Sequence, residues 1–262
     1  MVDFESIELD RSGAVGGIAF DRPAAHNTLT ETTASELVEA AHELVSDDDV
    51  RCITVTGNGP VYNTGADLTT LEGDGSDEPR LRSLADGLHE FVSQLVRAPK
   101  PVVTGVNGVA AGGGLGPAIC GDIVLVAESA RFEFAYPRIG LSGDGGSTYL
   151  LPRLVGLRRA QALALRDEPV DAGEAVEIGL ATEVVDDDRL EDRLVAEADR
   201  LAAGPTRAYG ATKRLLVESF DNSLDAQLAA EAETIAGLTE TADFARGHAA
   251  FQNDANAEFE GE

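Results

Sequence analysis

Residues 106–122 read V-N-G-V-A-A-G-G-G-L-G-P-A-I-C-G-D, and the organisation of the whole chain turns on how that stretch is read. Gly112, Gly113 and Gly114 lack a β-carbon, so the backbone can take unusual dihedrals there and a ligand can come up against bare N–H groups. Pro117 suits only the first turn of a helix, where its missing N–H was unpaired in any case. A short apolar helix is therefore predicted to start near Gly113 to Leu115. Its free amides and the positive pole of its dipole stabilise negative charge, either a phosphate or the oxyanion of a reacting carbonyl. The same residues also suit a glycine turn packed between two buried elements.

Residues 101–106 form the strand that feeds this turn, and residues 122–127 the strand that follows it. Upstream, residues 4–10 and 14–20 read as two short strands about Arg11-Ser12-Gly13. Leu37, Val38, Ala41, Leu44 and Val45 recur at helical spacing within residues 30–45. Residues 51–56 are a buried strand, residues 57–68 a second glycine turn, and residues 73–78 a polar, mobile surface loop. A helix over residues 80–97 ends at Ala98-Pro99-Lys100-Pro101. Strand and helix alternate, which predicts an α/β fold with a parallel sheet wound by helices.

Downstream, Asp171 with Glu174 and Asp188 with Glu191 have capping-box spacing at two helix starts, with a strand at 181–185 between them. Three helices follow near 205–218, 223–236 and 240–253. The expected division is a core over residues 1–200 and a helical oligomerisation region over 201–262.

The chain has 262 residues, enough for one large domain with a helical appendage. It shows no long apolar run and no basic-then-apolar amino terminus, so neither a membrane partner nor a signal peptide is expected. Cys52 and Cys120 sit in apolar contexts without C-x-x-C spacing, which predicts buried thiols, a reducing cytoplasmic location and no metal. Asp and Glu number 47 against 20 Lys and Arg, a net charge of −27, and only Lys100 and Lys213 are lysines. The acids are spread along the chain rather than blocked. Such self-repulsion needs screening, which points to a halophilic source with molar salt in its cytoplasm. Nucleic acid is excluded as a partner because phosphate binding needs a basic face.

Neither glycine turn carries a nucleotide fingerprint, and H-E-x-x-H and G-x-S-x-G are both absent. His26, His42, His89 and His248 form no sequence cluster, which disfavours a zinc or serine-triad hydrolase. Taken together, Gly57-Asn58-Gly59 through Tyr62 to Thr64-Gly65-Ala66-Asp67-Leu68, and Val106-Asn107-Gly108 through Gly112-Gly113-Gly114, resemble the two oxyanion segments of the crotonase (enoyl-CoA hydratase/isomerase) superfamily. Arg22-Pro23 to Asn27 and Leu29, Cys120-Gly121-Asp122-Ile123, residues 151–156 (L-P-R-L-V-G) and Ala250-Phe251 to Phe259 resemble further motifs of that family, in order and over nearly the full length.

The resemblance implies an α/β crotonase spiral of β-β-α turns with a C-terminal helical trimerisation region, assembled as a homotrimer or a dimer of trimers. It implies an acyl-CoA thioester as substrate, with no cofactor beyond the coenzyme A that the substrate carries. The amides of Ala66 and Gly113 would hold the thioester oxygen as it becomes an enolate. Ala24, Ala25 and His26 would lie along the CoA nucleotide and Asp67 and Leu68 along the pantetheine, with Thr64 and Gly112 also in the substrate site.

Hydratases of the superfamily use two glutamates, and matching without gaps puts Gly116 and Tyr136 at those positions. Water addition by a glutamate pair is thus unsupported. Residues 139–148, I-G-L-S-G-D-G-G-S-T, resemble the I-G-L-x-P-D-x-G-G-T of the ring-epoxide isomerases of phenylacetyl-CoA degradation, which implies a catalytic role for Asp144. Gly143 and Ser147 depart from that pattern, and Asp144 also reads as the N-cap of a helix at 145–150. Tyr136 reads as a pocket wall.

A single carboxylate beside an enolate-stabilising hole suits taking a proton from one carbon and returning it to another, the work of a double-bond isomerase. A hydratase-type lyase and a non-catalytic acyl-CoA-binding protein are the alternatives. Dehalogenases of the superfamily place a tryptophan beside an aspartate nucleophile, and this chain has no tryptophan. Asp254 and Ala255 stand where the family has a basic pair, so a CoA phosphate contact is either lost or supplied by Lys213 or Arg214, and Lys213 also reads as a solvated helix position.

The acidic excess predicts that heat resistance rises steeply with salt. Melting curves from about 0.1 to about 3 M KCl test this, and a flat melting temperature would contradict it.

Overall fold

In the computed structural model, which describes residues 4–262, the chain opens with the two expected strands, β1 (Ile7–Ser12) and β2 (Val15–Phe20), paired antiparallel, with Arg11 and Ser12 in β1 and the turn at Gly13 and Ala14. Helix α1 (Glu31–Ser46) is capped by Thr30, whose hydroxyl accepts from the Thr33 amide at 3.1 Å. It buries Leu37, Ala40, Ala41 and Leu44, and a leucine so buried contributes about 1.5 to 3 kcal/mol.

The next three units each supply two strands. They are β3 (Cys52–Gly57) and β4 (Val61–Asn63) before α2 (Glu78–Arg97), then β5 (Val102–Val106) and β6 (Val109–Ala111) before α3 (Leu115–Ile119), then β7 (Ile123–Ala127) and β8 (Arg131–Glu133) before α4 (Ser147–Leu154). The chain continues through α5 (Leu157–Arg166), β9 (Val170–Asp171), α6 (Ala172–Glu177), β10 (Glu183–Val185) and α7 (Leu190–Ala202). It finishes with α8 (Thr206–Glu218), α9 (Leu224–Leu238) and α10 (Ala242–Gln252).

One sheet has the order β1-β2-β3-β5-β7-β10 and the other β4-β6-β8-β9, so each unit puts its first strand in one sheet and its second in the other. Apart from the outer pairs β1/β2 and β8/β9, the pairings are parallel. This is the spiral of β-β-α turns. Strand β5 is buried at every residue, as a parallel strand covered on both faces should be. Strands β4, β6 and β8 are three residues each, too short to show a period of two in the sequence, and the second sheet was hidden there.

Two local expectations need correction. Residues 73–78 lie on the surface as expected, exposed at every position but Asp77, but they are not an irregular loop: Gly75–Asp77 is a 3-10 turn, and the buried Asp77 carboxylate accepts from the amides of Glu72 at 3.0 Å and Gly73 at 2.7 Å. These bonds hold its pKa below the usual carboxylate value and stop the chain against α2. Asp188 does not cap α7, because a 3-10 turn at Asp187–Arg189 moves the helix start to Leu190. Asp187 instead accepts from the Ser129 amide at 2.9 Å. Asp171 does cap α6, accepting from the Glu174 amide at 2.8 Å.

The chain's two lysines are buried clamps on helix ends. The Lys100 ammonium donates to Leu44 O at 3.0 Å and Asp47 O at 2.8 Å, at the C-terminus of α1. The Lys213 ammonium donates to Leu95 O and to Asp122 Oδ2, each at 2.8 Å, at the C-terminal turn of α2. A cation at a helix C-terminus meets the negative pole of the dipole and the unpaired carbonyls. The expectation that Lys213 meets a CoA phosphate is therefore corrected: its donors are spent inside the fold, with 8% of the side chain exposed. The Cys52 and Cys120 thiols are buried as expected, and burial pushes both up to about 12.

Helices α8 to α10 leave Leu216, Leu224, Leu228, Ile235 and Phe251 exposed, as the turn between α8 and α9 leaves Phe220. Among the described residues no helix is long and apolar enough to cross a membrane.

Lys213→Met should cost about 2 to 3 kcal/mol in urea unfolding. That is below the full cost of orphaning a charge in a fully buried pair, since Asp122 keeps 31% of its side chain exposed. Affinity for coenzyme A should stay unchanged; a large loss of affinity in a folded variant would restore Lys213 to the ligand site.

Candidate active site

Strand β4 leads into Thr64-Gly65-Ala66, and three side chains brace that turn. Asn63 is fully buried; its Oδ1 accepts from the Gly65 amide at 2.8 Å and its Nδ2 donates to Asn27 O at 2.6 Å. Asn27 Nδ2 in turn donates to Asn58 O at 3.0 Å and Val61 O at 2.7 Å. Arg22 donates to Thr28 O at 2.6 Å and to Asp67 Oδ2 at 3.2 Å, and hydrogen bonds from Thr69 and Arg22 hold the Asp67 carboxyl below its usual range. The early R-P-x-x-x-N-x-L stretch is thus the scaffold of the first glycine turn. Leu29 forms a bridge that uses Gly65 O at 2.8 Å and the Asp67 amide at 2.9 Å, and it leaves the Ala66 N–H between them free of that pairing.

The second turn, Gly112–Gly114, follows β6 as a 3-10 turn into α3. Gly113 lies at its start, where the N–H groups have no acceptor within the helix. The two turns touch through backbone alone. A β-carbon on Gly65, whose φ is 85°, would lie 2.8 Å from the Gly113 nitrogen. Two free amides on abutting turns can hold one oxygen that gains negative charge.

Ala66, Gly112 and Gly113 line a cavity of about 720 Å³ together with Thr64, Leu68, Tyr136 and Asp144. Asp67 lines an adjoining depression of about 220 Å³ that shares Ala66 and Leu29 with it. Ala24, Ala25 and His26 lie outside both, on the 3-10 turn at Pro23–Ala25 and its left-handed end, reached through the Thr64 hydroxyl, which donates to His26 O at 3.2 Å.

Asp144 is not a helix cap. Helix α4 starts after Gly146 without a side-chain cap, and it is the Asp144 carbonyl, not the carboxylate, that accepts from the Ser147 amide at 3.0 Å and hydroxyl at 2.7 Å. The carboxylate faces the cavity and bonds His89 Nε2 from α2. Neither His89 nor Asn63 was singled out from the sequence. The only pointer to His89 was helical phase, since it follows Leu81, Leu84 and Leu88 on the apolar face of α2.

The loop carrying Asp144 also closes the place of a hydratase glutamate. A β-carbon on Gly116 would lie 1.7 Å from Gly145 O, so no side chain can stand there while this loop keeps its course. Tyr136 is buried edge-on to Phe134 with ring centroids 5.1 Å apart. Burial, with the Asp144 charge behind it, pushes its phenol upward. Glu133 is no free base: Arg131 Nε at 2.6 Å and Arg138 Nη1 at 2.5 Å hold its two oxygens. Burial alone would raise its pKa, but the arginines outweigh burial and hold it below the ordinary value. Among the described residues no three His, Cys, Asp or Glu side chains converge as a metal site would require.

A family profile described as enoyl-CoA hydratase/isomerase matches residues 10–262. The chain belongs to that family. It is 38% identical to a probable enoyl-CoA hydratase of Rhodobacter capsulatus, over 95% of this chain and 96% of the relative. It is 35% identical to the 1,2-epoxyphenylacetyl-CoA isomerase of Escherichia coli, over 93% and 94%. The crystal structure of an enoyl-CoA hydratase from Bacillus anthracis superposes with a TM-score of 0.92 at 27% identity, covering 98% of this chain and 100% of that one. Hydratases and an isomerase thus share the frame, and residues within it must distinguish them.

Gly65→Ala puts a methyl group over the Gly113 amide and should lower kcat/KM for an acyl-CoA thioester by about 10²-fold or more. Free coenzyme A should still bind. Wild-type turnover in the folded variant would show that the hole lies elsewhere.

Proposed function

We propose that the protein is an acyl-CoA isomerase that moves a carbon–carbon double bond, or rearranges a ring epoxide, through a thioester enolate held by the Ala66 and Gly113 amides. The observation that carries this proposal is the closure at Gly116. The loop that brings Asp144 into the cavity fills the space from which a hydratase glutamate would reach, and Tyr136 stands at the second glutamate position.

For a 3-enoyl thioester, the Asp144 carboxylate takes a proton from C2, and the electron pair moves into a dienolate whose negative oxygen sits between the two amides. The proton returns to C4 as the pair closes the C2–C3 double bond, so the carboxylate ends as it began. A carboxylate is a weak base toward carbon, and the step becomes feasible because fixed amides in an apolar cavity stabilise the enolate far better than water does. The His89 bond orients the carboxylate. With 52% of its side chain exposed, His89 also gives the proton a route to solvent.

Asp144→Asn keeps the shape and removes the base. Turnover of a 3-enoyl-CoA should fall about 10²- to 10⁴-fold while acyl-CoA affinity survives. In D₂O the wild type should place some deuterium at C4 of the product, and the variant none. A variant that isomerises at the wild-type rate would reduce Asp144 to a loop residue. Hydration of a 2-enoyl-CoA as fast as isomerisation would favour a hydratase, and acyl-CoA binding without any turnover a binding protein.

A further inference from the structure

A separate space adjoins the cavity at Asp144. Beyond the Asp144–His89 contact a second space of about 490 Å³ opens, sharing His89, Gly143 and Asp144 with the first. One face of α2 runs beside both: Leu81, Leu84 and Leu88 line the first space, Val92 and Val96 the second. These residues recur every three or four positions, so they form one continuous apolar stripe. Tyr149 and Leu150 of α4 and Val217 of α8 supply other walls of the second space. Gly146 lines it without a side chain, and a β-carbon there would come 3.2 Å from Val92 Cγ1 and narrow the passage.

We infer that the acyl chain of the substrate runs beside the Asp144–His89 neck, leaving that bond intact, and lies along Val92 and Val96, so that the enzyme selects long-chain over short-chain thioesters. This inference rests on the acyl-CoA function proposed above and names the substrate class of that site. His89 to Val96 spans seven residues, about 10 Å of helix, which matches roughly eight carbon–carbon bonds of an extended chain. Adding the few carbons between thioester and neck, chains of about ten to twelve carbons fill the groove. Affinity should rise with each methylene that leaves water on the way.

The test compares six- and twelve-carbon thioesters in two ways. Calorimetric affinities for hexanoyl-CoA and dodecanoyl-CoA, neither of which can isomerise, report the groove without turnover. The twelve-carbon thioester should bind at least tenfold tighter, and Ser93→Trp or Val217→Trp, each filling the second space, should abolish most of that difference. The kcat/KM ratio of twelve- to six-carbon 3-enoyl-CoA should fall in parallel. Equal affinities, or a chain-length effect that persists in both folded variants, would overturn the inference. Absence of isomerisation with the affinity pattern intact would instead sink the isomerase proposal and leave the groove standing.

Discussion

The approach of Gly65 to Gly113 is the constraint on which the rest of the structure depends. Two chain segments from different turns of the spiral meet with no room for a β-carbon between them. That contact can form only if β4 and β6 pair in parallel at the right height and the Asn63 amide pins the first turn. Asn63 is pinned in its turn by Asn27, and Arg22 ties the same loop to Asp67. A hole built from backbone amides on strand ends needs little rearrangement when charge develops, which is why such sites stabilise enolates well. It also tolerates wide variation in the side chains around it.

The chemistry is then set by what the surrounding loops bring to the hole. Here the segment at residues 143–146 turns in against α3 and carries Asp144 with it. Gly116 and Gly145 are in such contact that the loop and a glutamate on α3 exclude one another. Function on this frame lives in the site and not in the fold, as the mixture of hydratases and an isomerase among the relatives illustrates. Helix α2 has a double part, because its apolar stripe walls the cavity while His89 on its edge reaches the loop that carries Asp144.

Charge follows a separate logic. The surplus acid is on the surface, where single ion pairs contribute little and salt screens them. The two lysines are withdrawn from that surface and placed on the carbonyl ends of α1 and α2, where a compact ammonium can satisfy two acceptors at once. Surface and interior cations thus serve different ends.

Much of this was legible in the residues themselves. Local rules carry local features: glycines mark the two turns that need close backbone approach, Pro117 marks the first turn of α3, and the 3.6-residue period marks α1 and α2. The order of motifs along the chain was enough for the spiral and for the two glycine turns that bring Ala66 and Gly113 to one cavity. What tertiary structure alone decided are the meetings between distant residues. Asp144 and His89 are 55 positions apart and Lys213 and Asp122 are 91 apart, and no local propensity registers either pair. The short strands β4, β6 and β8 belong to the same class, since three residues carry too little periodicity to announce a strand and exist as strands only through their neighbours. The alternative that Asp144 serves as an N-cap failed for a related reason: a side chain with two compatible partners goes to the one the fold brings within reach, and here that is an imidazole from another helix.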